Sequence, residues 1–366
     1  MDSVSEQFST QDLVAPEAFP AEPETPQQLS LARRIFFGPF GLRAGWSLLI
    51  YFAILASIVF SVRAVSHHYK AKAHDAAVAA ARAAGKPAPS GAEAKPDPNA
   101  PMTIVPGMEQ EGITFVVIFL VSLVMAAIER RRFTAYGLGG QRAISRFLTG
   151  AVWGVAALSL LVGSLRVFHL ISFDAQLDHG WAILGYGGAL LFLFLLVGLL
   201  EEYIFRGYLQ FTLTRGLVGL GNLISPTHGR TIAFWIATLI TSGLFFLAHT
   251  GNGGQDAVGL LLVFLGGIAF VVALWRTGSL WWAIGFHMAW DWSQSFLYGV
   301  PDSGLLVQGR LFATHSMGNP VLSGGTVGPE GSVFCIPILI LIIVVLLFTR
   351  SSPQPPLETN AQLRTD

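Results

Sequence analysis

The sequence predicts an all-α fold, a polytopic membrane helix bundle with about eight transmembrane helices. Two observations carry that expectation. Hydrophobic residues make up 52% of the 366 and charged residues 12%, about half the roughly 25% charge of a soluble domain. The apolar residues also fall into runs near the ~20 that a helix needs to cross ~30 Å of hydrocarbon at ~1.5 Å per residue. The eight runs are 46–62, 113–128, 147–165, 181–200, 232–249, 258–275, 280–297 and 333–348.

The first, second and last runs are clean. The third, fourth and sixth carry several glycines, as closely packed membrane helices do. The seventh is unusual, because it holds His287 and Asp291. Basic residues set the orientation. Arg130, Arg131, Arg132, Arg142 and Arg146 lie between runs two and three, and Arg206, Arg215 and Arg230 between four and five. Arg276 and Arg350 extend the same side, whereas three opposite connections carry only Arg166 and Arg310. The long connection after run one holds Arg63, Lys70, Lys72, Arg82, Lys86 and Lys95, but long loops weigh little in the rule. Both termini are therefore expected in the cytoplasm, with the chain in a cell membrane.

Residues 1–45 read as a disordered cytoplasmic tail and 46–66 as the first transmembrane helix. An Ala-rich stretch at 67–82 extends that helix, within an external Ala/Pro-rich linker over 67–112 whose Pro-rich part, 86–106, is flexible. The membrane core is expected over 113–349 and a second cytoplasmic tail over 350–366. His67, His68 and His74 lie in the Ala/Lys-rich stretch and read as solvated side chains rather than a metal site. With 22 basic and 22 acidic residues, the chain lacks the basic surplus of a nucleic-acid partner. Cys335 is the single cysteine, which excludes an intrachain disulfide and a thiolate metal cluster.

Ionisable side chains inside membrane helices are costly and mark function. They fall in three clusters. In the first, Glu201-Glu202-Tyr-Ile-Phe-Arg206, Glu202 and Arg206 share a helix face and can pair, while Glu201 points about 100° away and is left for chemistry. The bland alternative is a helix leaving the membrane. The second cluster places Phe245 under His249, which could equally be a helix cap. The third places His287 and Asp291 on one face inside an apolar segment. Together the three supply two carboxylates and two imidazoles, enough to activate a water and stabilise an oxyanion. No H-E-x-x-H, G-x-S-x-G or catalytic cysteine signature is present.

Glu201-Glu202-x-x-x-Arg206, Phe245-x-x-x-His249 and His287-x-x-x-Asp291, in this order, resemble the CPBP (Abi) intramembrane protease family. That family includes the type II CAAX prenyl endopeptidases and bacterial self-immunity relatives. The flanking Phe205-Arg206-Gly207-Tyr208-Leu209 and Arg276-Thr277-Gly278-Ser279-Leu280-Trp281 fit too, and the resemblance covers about 181–296. It implies a peptidase in which Glu201, helped by His249, activates water, and His287 and Asp291 hold the oxyanion. Glu202, Arg206 and Phe245 would be supports. The eukaryotic enzymes carry Asn where Asp291 stands, and an ionised Asp cannot donate to an oxyanion. Asp291 is therefore a protonated donor, an orienter of His287, or a metal ligand. The family is commonly labelled metalloprotease, so one divalent metal such as zinc, held among Glu201, His249, His287 and Asp291, stands beside a metal-free glutamate mechanism.

The implied partners are a peptide or membrane-protein substrate and the lipid bilayer. Two rivals remain: a non-catalytic membrane scaffold or bacteriocin self-immunity protein on the same fold, and a proton-coupled transporter. The site cavity is expected to reach the cytoplasmic side. One difficulty stands: simple depth counting puts Glu201 and His249 about 25 Å apart at ~1.5 Å per residue. It disappears if the fourth run continues as one long helix through 208–213.

Overall fold

The structure, a computed structural model, describes residues 30–87 and 101–349. Helix α1 (Leu31–Phe36) leads into a two-stranded antiparallel turn, β1 (Phe37–Gly38) and β2 (Gly41–Leu42). Then come α2 (Ala44–Ala83), α3 (Ile104–Glu129), α4 (Ala143–Val167), strand β3 (Ile171–Gln176) and α5 (Trp181–Glu201). A π-helical turn, Glu202–Leu209, joins α5 to α6 (Gln210–Ile224) without interruption. Helices α7 (Gly229–His249), α8 (Ala257–Thr277) and α9 (Trp281–Trp292) follow, and a second π turn, Ser293–Leu297, extends α9. Strand β4 (Phe312–Ser316) pairs antiparallel with β3, and α10 (Pro320–Ser323) and α11 (Cys335–Phe348) close the described chain.

The polytopic helical bundle is as expected, but the span count differs. Six described helices are long and apolar enough to cross a membrane, with α5, its π turn and α6 counted as one 44-residue helix, and α11 is a shorter apolar helix. The seventh run is not a lipid-facing span. Every residue of α9 from Trp282 to Asp291 is buried, and the helix is only 12 residues long before its π turn. It serves as the centre of the bundle, which is why it can carry polar side chains.

Glycine makes that burial possible. A Cβ on Gly150 of α4 would fall 2.1 Å from the Trp282 carbonyl, and one on Gly285 of α9 would fall 2.1 Å from the Phe147 carbonyl. The two backbones therefore touch where side chains would otherwise hold them apart. Trp282, Phe286 and Trp290 stack along α9 and join Leu158, Leu161 and Leu165 of α4 in the main core.

The boundaries around the first two spans need correction. Residues 30–45, expected as part of a disordered tail, form α1 and the β1–β2 turn. The carbonyls of Phe40 and Leu42 accept from buried Arg215, and Phe40 also accepts from Arg131. Arg131 and Arg215, counted above as topological charges, thus fasten this segment. Helix α2 runs through 67–83, as the Ala-rich reading expects. Helix α3 begins at Ile104 rather than near 113. Met102, placed above in a flexible linker, is instead docked: its N–H donates to Leu306 O at 2.7 Å and its carbonyl accepts from Gln308 N at 3.1 Å. The remaining tail and linker expectations, at 1–29, 88–100 and 350–366, lie outside the described residues.

Candidate active site

The site begins with the long helix. At ~1.5 Å per residue its 44 residues span about 66 Å, twice the hydrocarbon thickness. Glu201, the last residue of α5, and Glu202, the first of the π turn, therefore lie mid-helix rather than at an exit from the membrane. Helix α7 then folds back along α6. The Gln210 amide donates to Phe234 O at 3.0 Å, and Thr241 Oγ1 donates to Gln210 Oε1 at 2.9 Å. Antiparallel return brings the end of α7 to the level of Arg206, whose guanidinium carbon lies 4.0 Å from the Phe245 ring centre. The long continuous helix removes the depth difficulty.

Glu202 is fully buried. Its Oε1 accepts from Arg206 Nη1 at 3.1 Å and from His287 Nδ1 at 2.9 Å. The second contact was missed in the sequence, because 85 positions separate the partners. His287 stacks on Phe270, with ring centres 4.9 Å apart and planes 21° apart. Its Nε2 faces Glu201 Oε2 at 3.6 Å and Asp291 Oδ2 at 3.5 Å. These are close approaches rather than short hydrogen bonds, so a water or a substrate atom would meet both atoms from the cavity side rather than fit between them.

His249 is oriented by its own helix. Its Nδ1 lies 2.9 Å from Phe245 O, and the two rings meet edge to face at 4.5 Å. A carbonyl only accepts, so Nδ1 carries the hydrogen and Nε2 is left to accept a proton.

Glu201, His249, His287, Asp291 and Phe245 all line one cavity of about 370 Å³. Glu202 and Arg206 stand behind it, and Arg206 lines a separate cavity of about 300 Å³ beside Tyr136 and Arg230. The cavity does not run where the sequence places it. Its lining reaches Met102, Asn252, Asp302 and Glu330, in segments joining helices at the end opposite Arg130 and Arg276. At the arginine-rich end Leu280 is fully buried, and Trp281 Nε1 donates to Leu138 O at 3.0 Å.

Glu111, Asp302 and Glu330 also line the cavity and were missed. Glu111 precedes the apolar run of its helix and reads as a polar flank. Asp302 and Glu330 sit in Pro-Asp-Ser-Gly and Pro-Glu-Gly stretches that read as turns. Burial, then the charges of Glu330 and Glu201, push the Asp302 carboxyl well above the usual carboxylate range. The four metal candidates of the sequence are Glu201, His249, His287 and Asp291. Among the described residues no group of three or more His, Cys, Asp or Glu is arranged to hold a metal ion.

Fold and site define a polytopic membrane protein with a carboxylate–imidazole cavity enclosed by its helices. Residues 183–293 match the family described as Type II CAAX prenyl endopeptidase Rce1-like. This region of the chain is thus related to the CPBP intramembrane proteases, and it contains all seven residues of the three motifs. No curated protein and no solved structure matches the chain.

Proposed function

We propose that the protein is an intramembrane endopeptidase that hydrolyses peptide bonds with a side-chain-activated water. The supporting observation is the convergence of Glu201, His249, His287 and Asp291 on one cavity, with His287 suspended from a buried Glu202–Arg206 pair. Glu201 and the free Nε2 of His249 are placed to take a proton from a water in that cavity. The water oxygen attacks the scissile carbonyl carbon, and the carbonyl oxygen becomes an oxyanion. Glu201 then passes the proton to the departing amine, so water is added across the C–N bond.

His287 supplies the electrophilic half. Its Nδ1 hydrogen is committed to Glu202, so donation from Nε2 requires the doubly protonated ring. Glu201, Glu202 and Asp291 approach that ring at 3.6, 2.9 and 3.5 Å. Asp291 assists either as a neutral donor or by steering the imidazole. Every step in this reading runs through side chains.

Sidedness follows from the arginines. If the arginine-rich end is cytoplasmic, both termini are too, and the cavity meets substrate from the other face of the membrane. A peptide segment presented on that face is then the substrate class. The test is cleavage of a peptide library by the purified protein in lipid nanodiscs. Cleavage that persists with a chelator and vanishes in folded Glu201→Gln supports the reading. An equally active Glu201→Gln protein removes Glu201 as the base, and a protein that cleaves nothing returns the scaffold to first place.

A further inference from the structure

The proposed mechanism leaves three acidic groups of the cavity without a task. Glu111 comes from α3, Asp302 from the loop after α9, and Glu330 from the turn Pro329–Gly331. With Glu201 and Asp291, five carboxylates line the cavity, against the two imidazoles of His249 and His287. Among the described residues that line it none is Lys or Arg. The nearby guanidinium of Arg206 is committed to Glu202 behind the wall.

Two of these acids, Glu330 and Asp302, are tied in by hydrogen bonds. Glu330 Oε1 accepts from the Ser303 N–H at 2.6 Å and from Ser303 Oγ at 2.9 Å. Asp302 Oδ2 accepts from Ser295 Oγ at 3.3 Å. The loop is tied down by Gln294 Nε2 donating to Pro301 O at 2.8 Å and by Gly304 N donating to Val327 O at 3.0 Å. Asp291 is 5% exposed, faces the cavity, and accepts no hydrogen bond among the described residues. A buried carboxylate with spare acceptor capacity is costly unless a donor or a cation reaches it.

We propose that Asp302, Glu330 and Glu111 form a cation-recognising wall, which selects peptides with a lysine or arginine side chain beside the scissile bond. The inference rests on the cavity being the peptide site. It adds a substrate class to that reading: a basic peptide segment. A basic side chain would bring the donors and the charge that this wall lacks, with Trp290 and Phe194 in the same lining to cover its aliphatic stem.

The test measures binding, so it does not depend on turnover. Full-length Glu201→Gln protein in nanodiscs is titrated with fluorescein-labelled decapeptides that differ only in a central Lys, Ala or Glu. The Lys peptide should bind about tenfold or more tightly than the Ala peptide, the size expected for a charge-assisted hydrogen bond. The Glu peptide should bind least. Adding Asp302→Asn and Glu330→Gln should bring the Lys peptide to the Ala level and leave the Ala peptide unchanged. The comparison on protein with an intact wall stands even if those variants fail to fold. Equal binding of Lys and Ala peptides, or no binding of either, overturns the wall. A Lys preference in binding without any cleavage by the unsubstituted enzyme would sink the protease reading and leave the wall standing. Cleavage indifferent to charge would do the reverse.

Discussion

Among the described residues the bundle contains two buried carboxylate–guanidinium centres built from the same parts, and they differ in how fully those parts are used. In the first, at the arginine-rich end, both oxygens of Glu129 are engaged, with Arg131 Nε at 3.0 Å and Arg215 Nη2 at 2.8 Å. Arg215 also donates to Leu42 O at 2.7 Å and to Ser47 Oγ at 2.8 Å. Apart from Arg215 Nε the centre is saturated, and it clamps the N-terminal turn to α3 and α6. In the second, Glu202 Oε1 is shared by Arg206 and His287, while Glu202 Oε2 and Arg206 Nη2 have no hydrogen-bond partner among the described residues. Each orphaned buried polar group costs about 1–3 kcal/mol. A centre that only held helices together would be expected to resemble the first. The second connects through the His287 imidazole to the cavity, which is the connection the proposed mechanism uses.

Substitutions at the two centres should separate cleanly. Glu201→Gln, beside the second, should lower turnover by about 10²–10⁴, the usual contribution of a general base, with an unchanged melting temperature. Glu129→Gln should do the opposite. It leaves two buried guanidinium groups short of a counter-charge and should cost about 3–5 kcal/mol of stability. Turnover per folded molecule should stay as before. Folded but inactive Glu129→Gln protein would break the comparison, because the clamp would then be coupled to the chemistry.

His287→Ala should lose roughly 10²–10³ in turnover, as for a single oxyanion donor. Glu202→Gln sharpens the contrast. The sequence alone gives Glu202 a supporting role, so only stability should suffer. Its 2.9 Å contact to His287 Nδ1 adds a second consequence. An amide can turn to accept from Nδ1 but holds the ring with a weaker, uncharged acceptor, so turnover should fall along with the melting temperature. A Glu202→Gln protein that is merely unstable would return the residue to a purely structural role. Asp291→Asn should have a smaller effect. Activity should survive within about tenfold if the side chain is a neutral donor, since an amide donates too. Collapse would show that Asp291 must carry charge to steer His287, which lies 3.5 Å away.

What could be read from the sequence follows the range of the interactions. The helices, the Glu202–Arg206 pair and the edge-to-face Phe245–His249 contact all join residues four apart, where helical periodicity alone fixes the geometry. Glu202 to His287 and Arg215 to Phe40 join distant segments, and local pattern says nothing of them. The depth of α9 was hidden for another reason. Hydropathy cannot distinguish a helix surrounded by protein from one surrounded by lipid, since both read as apolar. The loop acids Asp302 and Glu330 were hidden because turn chemistry explains them equally well.

The smallest expected effect lies in the paired strands at the cavity end of the bundle. Asp174 on β3 meets His315 on β4, with Oδ2 and Nδ1 2.6 Å apart across the pair. The His315 hydrogen bond holds the Asp174 carboxyl below its usual value of 3.8, helped by Ser172 Oγ. A carboxyl depressed in the folded state contributes stability that is present above its unfolded value. That contribution is lost as pH falls through the lowered one. Amide protection of β4 should therefore weaken only in strong acid, below about pH 4, while the bundle stays folded. Asp174→Asn should remove that acid step and leave cleavage at neutral pH untouched. The pair is exposed, so salt should screen it and narrow the difference between the two proteins. An unchanged acid step in the variant would assign the transition to a different carboxylate, with Glu330 and Asp302 of the cavity wall the next to substitute.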